Sequence, residues 1–205
     1  MITVQQMKEL EGFAEQQGIS KLELMENAGK KIYETVSSKY DIYQKYIIIF
    51  AGSGNNGGDG FVAARYFSED NPVIVLFFGE EERLSPEAKT SYEQIKRKVT
   101  VIQVRKKEDL VIMRFPGLVL IDAMLGTGRT GNIREPVSLG IDLFNSMKGI
   151  KIAVDIPSGL NPDTGQIHDK ICKVDLIITF HDLKPGLEQF KEKTIVVDIG
   201  LPKHR

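Results

Sequence analysis

Seven short, largely apolar runs are the feature that most narrows what this 205-residue chain can become. They read YIIIFAG from Tyr46, PVIVLFFG from Pro72, TVIQV from Thr100, GLVLIDA from Gly117, GIKIAVD from Gly149, DLIITF from Asp175 and TIVVDIG from Thr194. Runs this short and this apolar, bounded by Gly, Asp or Pro, suit strands covered on both faces rather than half-exposed ones. Helical patterns separate most of them, around 59–69, 85–97, 106–113 and 135–147. Strands and helices in alternation predict an α/β chain with a mostly parallel sheet and right-handed crossovers. Two further helices precede the first run. One carries Val4, Met7, Leu10 and Ala14 on a single face with Thr3 as N-cap, and the other carries Leu24, Ala28, Ile32 and Val36 behind Ser20.

Composition removes several classes of function. Lys and Arg number 27 against 28 Asp and Glu, for a net charge of -1, and no basic stripe offers itself to a phosphate backbone, so no nucleic-acid partner is expected. No apolar stretch approaches the roughly 20 residues of a membrane span, so no membrane partner is expected either. The polar, helical N-terminus lacks the pattern of a signal peptide. Cys172 stands alone, which leaves neither an intrachain disulfide nor a thiol-metal cluster. With no internal repeat or long linker, one cytoplasmic domain over 1–205 is the expectation.

Ligands on parallel sheets bind beyond the carboxyl ends of the strands, and three of those ends are chemically unusual here. The first run enters Gly52-Ser53-Gly54-Asn55-Asn56-Gly57-Gly58-Asp59-Gly60, where Gly52, Gly54 and Gly57 fit G-x-G-x-x-G ahead of a helix beginning near Phe61. Such glycines admit positive φ and close backbone approach, and the helix N-terminus offers partial positive charge to a phosphate. The fourth run repeats the spacing with Gly126, Gly128 and Gly131, adding Thr127, Arg129 and Thr130 as donors. In a doubly wound sheet the first and fourth strands are often neighbours, so both loops are expected to face one crevice. A bound dinucleotide, or a similar phosphorylated ligand, is the reading that follows. The fifth run ends in Asp155-Ile156-Pro157-Ser158-Gly159, where Ile156 and Leu160 occupy the positions a G-x-S-x-G nucleophile would need as glycine.

Three carboxylates therefore gather at strand ends: Asp59, Asp122 and Asp155. Two like charges about 4 Å apart repel by roughly 4 kcal/mol at an effective dielectric near 20. Either one carboxyl keeps its proton, which suits acid-base chemistry, or a cation lies among them. Asn56, Asp122 and Ser158 offer only oxygen, which suits a hard cation.

Taken together, AGSGNNGGDGFVAARYF, IDAMLGTGRTG and AVDIPSGLNPDTG resemble the YjeF N-terminal domain family, the NAD(P)HX epimerases. LMENAG at 24–29, TFHDLKPG from Thr179 and VDIGLP near the end add to the likeness, with His181 where the family usually has glycine. The resemblance implies a three-layer αβα Rossmann-like fold, commonly dimeric, and an isomerase that interconverts the R and S epimers of hydrated NADH or NADPH at C6 of the nicotinamide ring. It implies substrate contacts from Asn55, Asn56, Gly57, Gly58 and Asp59, from Gly126, Thr127, Gly128, Arg129, Thr130, Gly131 and Asn132, and from Asp155. It implies a potassium ion on Asn56, Asp122 and Ser158. The chain resembles a stand-alone epimerase, so a separate NAD(P)HX dehydratase is the expected functional partner. Asp155 first and Asp59 second are the expected acid-base residues, with Lys184 either near the ligand or on the surface, and Met7, Leu10 and Phe13 either at a homodimer interface or in the core.

Two rivals remain. An NAD-dependent oxidoreductase would use Glu80, just past the second run, as its ribose-binding acid, but it would have to tolerate Asn55, Asn56 and Asp59 crowding the pyrophosphate loop. A non-enzymatic nucleotide-binding or interaction module would not need all three carboxylates. Asp155→Asn is expected to abolish epimerisation with folding intact.

Overall fold

The computed structural model describes residues 1–110, 118–127, 132–167 and 169–202. All seven apolar runs are strands: β1 Tyr46–Ala51, β2 Val73–Phe77, β3 Thr100–Gln103, β4 Leu118–Ala123, β5 Ile150–Val154, β6 Leu176–Phe180 and β7 Thr194–Val197. They form one parallel sheet in the order β3-β2-β1-β4-β5-β6-β7. β1 and β4 are thus neighbours at the point where the winding reverses. Their register sets Phe50 beside Asp122 and Ala51 beside Ala123, so both strands end at one level.

Alternation along β1 shows why these runs read as apolar throughout. Ile47, Ile49 and Ala51 enter one core, and Ile48 and Phe50 enter the other. Each buried isoleucine contributes about 1.5–3 kcal/mol, and none can face water. The first core lies under helices α1 Val4–Gln16, α2 Lys21–Lys39, α3 Asn55–Phe67 and α4 Pro86–Ile95. The second lies under α5 Val137–Ser146, the segment around Leu160–Val174, and a 3-10 stretch over Pro185–Lys193. The result is three layers. Thr3 caps α1 in a capping box with Gln6, and Ser20 accepts from the Glu23 amide at 3.1 Å to cap α2. Among the described residues no helix is long and apolar enough to cross a membrane.

Two helix expectations need correction. The helix after β1 begins at Asn55, not near Phe61, so Asn56, Gly57, Gly58 and Asp59 lie in its opening turns. Three glycines in six residues argue against helix on propensity; packing overrides them, because a Cβ on Gly58 would meet the Met25 side chain at 2.4 Å and one on Gly60 would meet Ala123 at 2.8 Å. α2 crosses α3 just as closely at Gly29, where a Cβ would lie 2.4 Å from Val62. Around 106–113 the described residues hold only a 3-10 turn, Lys107–Asp109.

Candidate active site

A cleft of about 620 Å³ opens where β1 and β4 end, bounded by the Gly52–Asn56 turn, Asp59, Gly126, Thr127 and Asp155. The first glycine loop is needed for close approach rather than for left-handed backbone. Positive-φ glycines among the described residues are Gly18, Gly149, Gly159, Gly165 and Gly200, and Gly54 has φ -81°. A Cβ on Gly52 would stand 2.0 Å from the Met124 carbonyl oxygen, and one on Gly57 would stand 1.9 Å from that of Gly52. Of the three motif glycines in this loop, Gly54 alone looks onto open space, with nothing within 4 Å of a Cβ. Gly57 and Gly58 are buried and are not among the residues that line the cleft.

Asp155 follows β5 with φ 60°, a left-handed conformation that costs an L-residue about 1–2 kcal/mol. That backbone is held: its N–H donates to the Ile178 carbonyl at 2.8 Å, tying it to β6. Its Oδ1 accepts from Lys184 Nζ at 2.5 Å, Thr179 Oγ1 at 2.9 Å and the Phe180 amide at 3.2 Å. Lys184 is no surface lysine: its side chain is 1% exposed, and Nζ also donates to Thr179 Oγ1 and the Phe180 carbonyl. Asp155→Asn would leave that buried ammonium without its counter-charge, and breaking such a pair costs about 3–5 kcal/mol. His181, two residues past Thr179, has φ 66°, which is the physical reason a glycine suits that position better.

Asp59, reaching the same cleft from α3, makes no hydrogen bond through its carboxyl among the described residues. Burial pushes its pKa well above the ordinary carboxylate range, the charges of Asp155 and Glu11 push it further, and Lys184 offsets part of the effect. Glu11 was not singled out in the sequence. It sits mid-α1, outside every motif, and only folding brings it to the cleft, where burial and then Asp155 raise its pKa in turn.

Asp122 does not share that cleft. It is fully buried on the α5 side of β4, accepting from the Ser158 amide at 2.7 Å, Ser158 Oγ at 2.6 Å and the Met124 amide at 3.2 Å. Burial raises its pKa and those bonds hold it back; beside it, the Cys172 thiol is pushed well up by burial and by Asp122's charge. The like-charge cluster in the cleft is therefore Asp59, Asp155 and Glu11, not Asp59, Asp122 and Asp155. Asn56, Asp122 and Ser158 do form one network, joined through Leu125: Asn56 Nδ2 donates to its carbonyl at 3.1 Å, and its amide donates to Ser158 Oγ at 2.9 Å. Within this network Asn56 Oδ1 is buried without a partner among the described residues, at about 1–3 kcal/mol for an unmet acceptor. An orphaned oxygen amid hydroxyl, carbonyl and carboxylate oxygens fits a hard cation of low charge. Among the described residues no group of three His, Cys, Asp or Glu could hold a metal ion.

Asn132 is exposed and away from the cleft lining, while Gly128, Arg129, Thr130 and Gly131 lie outside the described residues. Glu80 lines the cleft, paired with Arg83 at 2.7 Å and joined through its backbone to Ser53 Oγ. Met7 and Leu10 are buried in the chain's own core, and Phe13 is exposed.

Comparison with known proteins places this architecture. The yeast ynu0 crystal structure superposes with a TM-score of 0.80 over 97% of this chain and 87% of that one, at 21% identity, which bears on the fold alone. The bifunctional NAD(P)H-hydrate repair enzyme Nnr of Archaeoglobus fulgidus is 38% identical across 98% of this chain but only 42% of its own length. The NAD(P)H-hydrate epimerase of Nitrosopumilus maritimus is 36% identical across 98% of this chain and 95% of its own. The chain thus spans about two fifths of the bifunctional relatives it matches. The sequence profile of the YjeF-related protein N-terminus matches residues 21–186, and the chain belongs to that family.

Proposed function

We propose that this chain is an isomerase that interconverts the R and S epimers of hydrated NADH and NADPH at C6 of the nicotinamide ring. The observation that carries the reading is the unequal environment of two carboxyls in one cleft. Asp155 accepts three hydrogen bonds, one from a buried ammonium, so this pocket satisfies its anion. Asp59 meets burial and like charge, which push its pKa well above the ordinary carboxylate range and favour its protonated form. Epimerisation needs both forms at once. On loss and return of water, the C6–O bond breaks with its electrons leaving on oxygen, Asp59 supplies the proton, and water departs from a ring cation. Water then adds to the other face and yields its proton to a carboxylate. Opening and reclosing of the ring makes the same demand on the pair. Stand-alone relatives of this length named NAD(P)H-hydrate epimerase support the assignment.

In this reading Gly52–Asn56 and Gly126–Thr127 cradle the pyrophosphate. Asn56, Asp122 and Ser158 hold potassium, whose positive charge would offset the phosphates. A cytoplasmic homodimer of one-domain subunits, working with a separate dehydratase, completes the proposal. The test is incubation of separated R- and S-NADHX with the protein, with and without potassium, followed by chiral chromatography. Both epimers should converge on one mixture, faster with potassium; ratios that never move would overturn the reading. Steady NADH from NAD and an alcohol would favour the oxidoreductase instead.

A further inference from the structure

α1 lies before the residue at which the family's sequence profile begins, yet it forms one wall of the cleft. It is fastened there by its first residues. The N-terminal ammonium pairs with Asp182 at 2.8 Å, the Ile2 amide donates to the Leu183 carbonyl at 2.9 Å, and the Val4 amide donates to Asp163 Oδ1 at 2.9 Å. Two of these anchors, Asp182 and Leu183, immediately precede Lys184, so the helix is tied to the segment that carries Asp155's cationic partner. On its inner side Met7, Leu10 and Ala14 are buried, and Glu11 projects into the cleft from between them, half-buried.

We propose that Glu11 is a second proton-carrying residue of this cleft, exchanging a proton with the C6 oxygen of the substrate alongside Asp59. The inference rests on the epimerase reading and adds a residue to it. An epimerase must manage a proton on the departure of oxygen from one face of the ring and on its return to the other. Two proton carriers reaching in from separate elements, α1 and α3, beside one fixed carboxylate supply that. The groups facing Glu11 are Asp155, Lys184 and Asp59 across the cleft, Lys21 from α2 and Lys8 from its own helix. Asp155 is committed to Lys184 at 2.5 Å, so the neighbouring cation is already shared. Burial and the Asp155 charge then leave Glu11 inclined to hold its proton, and the lysines limit the effect.

Glu11→Gln keeps the side chain's shape and removes its titration. Turnover should fall by about 100-fold, within the range for loss of a general acid or base, with KM little changed and one limb of the pH-rate profile displaced. Carbon-detected NMR of the side-chain carboxyls provides a readout that does not depend on turnover. The Asp59 midpoint should move down in Glu11→Gln, because a like charge has gone. Wild-type turnover and pH profile in Glu11→Gln would overturn the proposal while leaving the epimerase reading intact. If the wild-type protein leaves R- and S-NADHX unchanged, the parent reading fails, and an Asp59 midpoint unmoved in Glu11→Gln refutes the shared proton inventory separately. Glu11→Ala carries the same expectations should the glutamine variant fold poorly.

Discussion

Gly52, Gly54 and Gly57 belong to one motif but are glycine for different reasons, so their alanine variants should part company. A Cβ on Gly57 would stand 1.9 Å from the Gly52 carbonyl oxygen, and one on Gly52 would stand 2.0 Å from that of Met124. Heavy atoms settle about 3.5 Å apart or more, so each alanine demands a retreat of about 1.5 Å. Nothing soft is available to retreat. The obstructing atoms are backbone, and the Gly52 amide is itself tied to the Ala123 carbonyl at 3.1 Å, linking the ends of β1 and β4. Overpacking costs about 1–3 kcal/mol where side chains can yield, and here the upper end applies. For a chain of this size 1 kcal/mol corresponds to about 2–4 °C in Tm, so Gly52→Ala and Gly57→Ala should each melt about 6–12 °C low. Gly54 has an ordinary φ of -81° and no neighbour for a Cβ. Gly54→Ala should lose about 1 kcal/mol or less as an N-cap change, well short of the other two, while its methyl enters the cleft and weakens nucleotide binding. Thermal unfolding by circular dichroism and calorimetric titration with NADP separate the two kinds of damage. The reasoning is refuted if Gly57→Ala melts with the wild type, or if Gly54→Ala melts as low as the other two.

Asp59→Asn should change how stability depends on pH. The native state retains a proton on Asp59 that the unfolded chain releases near pH 4. Wild-type stability therefore declines as pH rises from the unfolded midpoint toward the higher native one. Asparagine has no such term, so its advantage over wild type should be absent at pH 3 and widen toward neutrality; urea unfolding at several pH values showing a constant difference would contradict this. Asn56→Ala should abolish cation-linked stabilisation. Wild type should melt higher in potassium chloride than in choline chloride, through mass action on the native state, and the variant should melt alike in both. A potassium shift that survives the substitution would remove Asn56 from the proposed ion site.

Much of the fold is legible in the sequence because strands covered on both faces leave no choice of residue: Ile47 to Phe50 must be apolar whichever core each enters. Thr3 and Ser20 are legible for a similar reason, since a helix start leaves amides that only a few side chains can satisfy. The opening of α3 was not legible, because Gly57, Gly58 and Gly60 look like loop until the contacts of Met25, Ala88 and Ala123 are known. In the site, spacing alone brought Asp59 and Asp155 to one cleft. It could not say that Asp122 turns to the other face of the sheet, a matter of strand alternation relative to a partner, nor that Lys184 is buried. Glu11 left no trace at all, since one carboxylate on an amphipathic helix reads as solvated until the helix docks.

The two faces of the sheet also divide the electrostatic labour. On the α5 side, Asp122 is surrounded by donors, two from Ser158 and one from the Met124 amide, and they fix where Ser158 and the Leu125 backbone stand. On the α1–α3 side, Asp155 takes the strong donors, Lys184 and Thr179, and little remains for Asp59 or Glu11. Burial and like charge, with few donors to offset them, push the pKa of both carboxyls up. A mutation that gave Asp59 a new hydrogen-bond donor would steady it as an anion and take away the proton the reaction needs, even with every carboxylate in place. The strained φ of Asp155 is consistent with this division. In that conformation Oδ1 takes up Lys184, Thr179 and the Phe180 amide together, so the donors of this face are spent on one carboxylate and its neighbours must do without them.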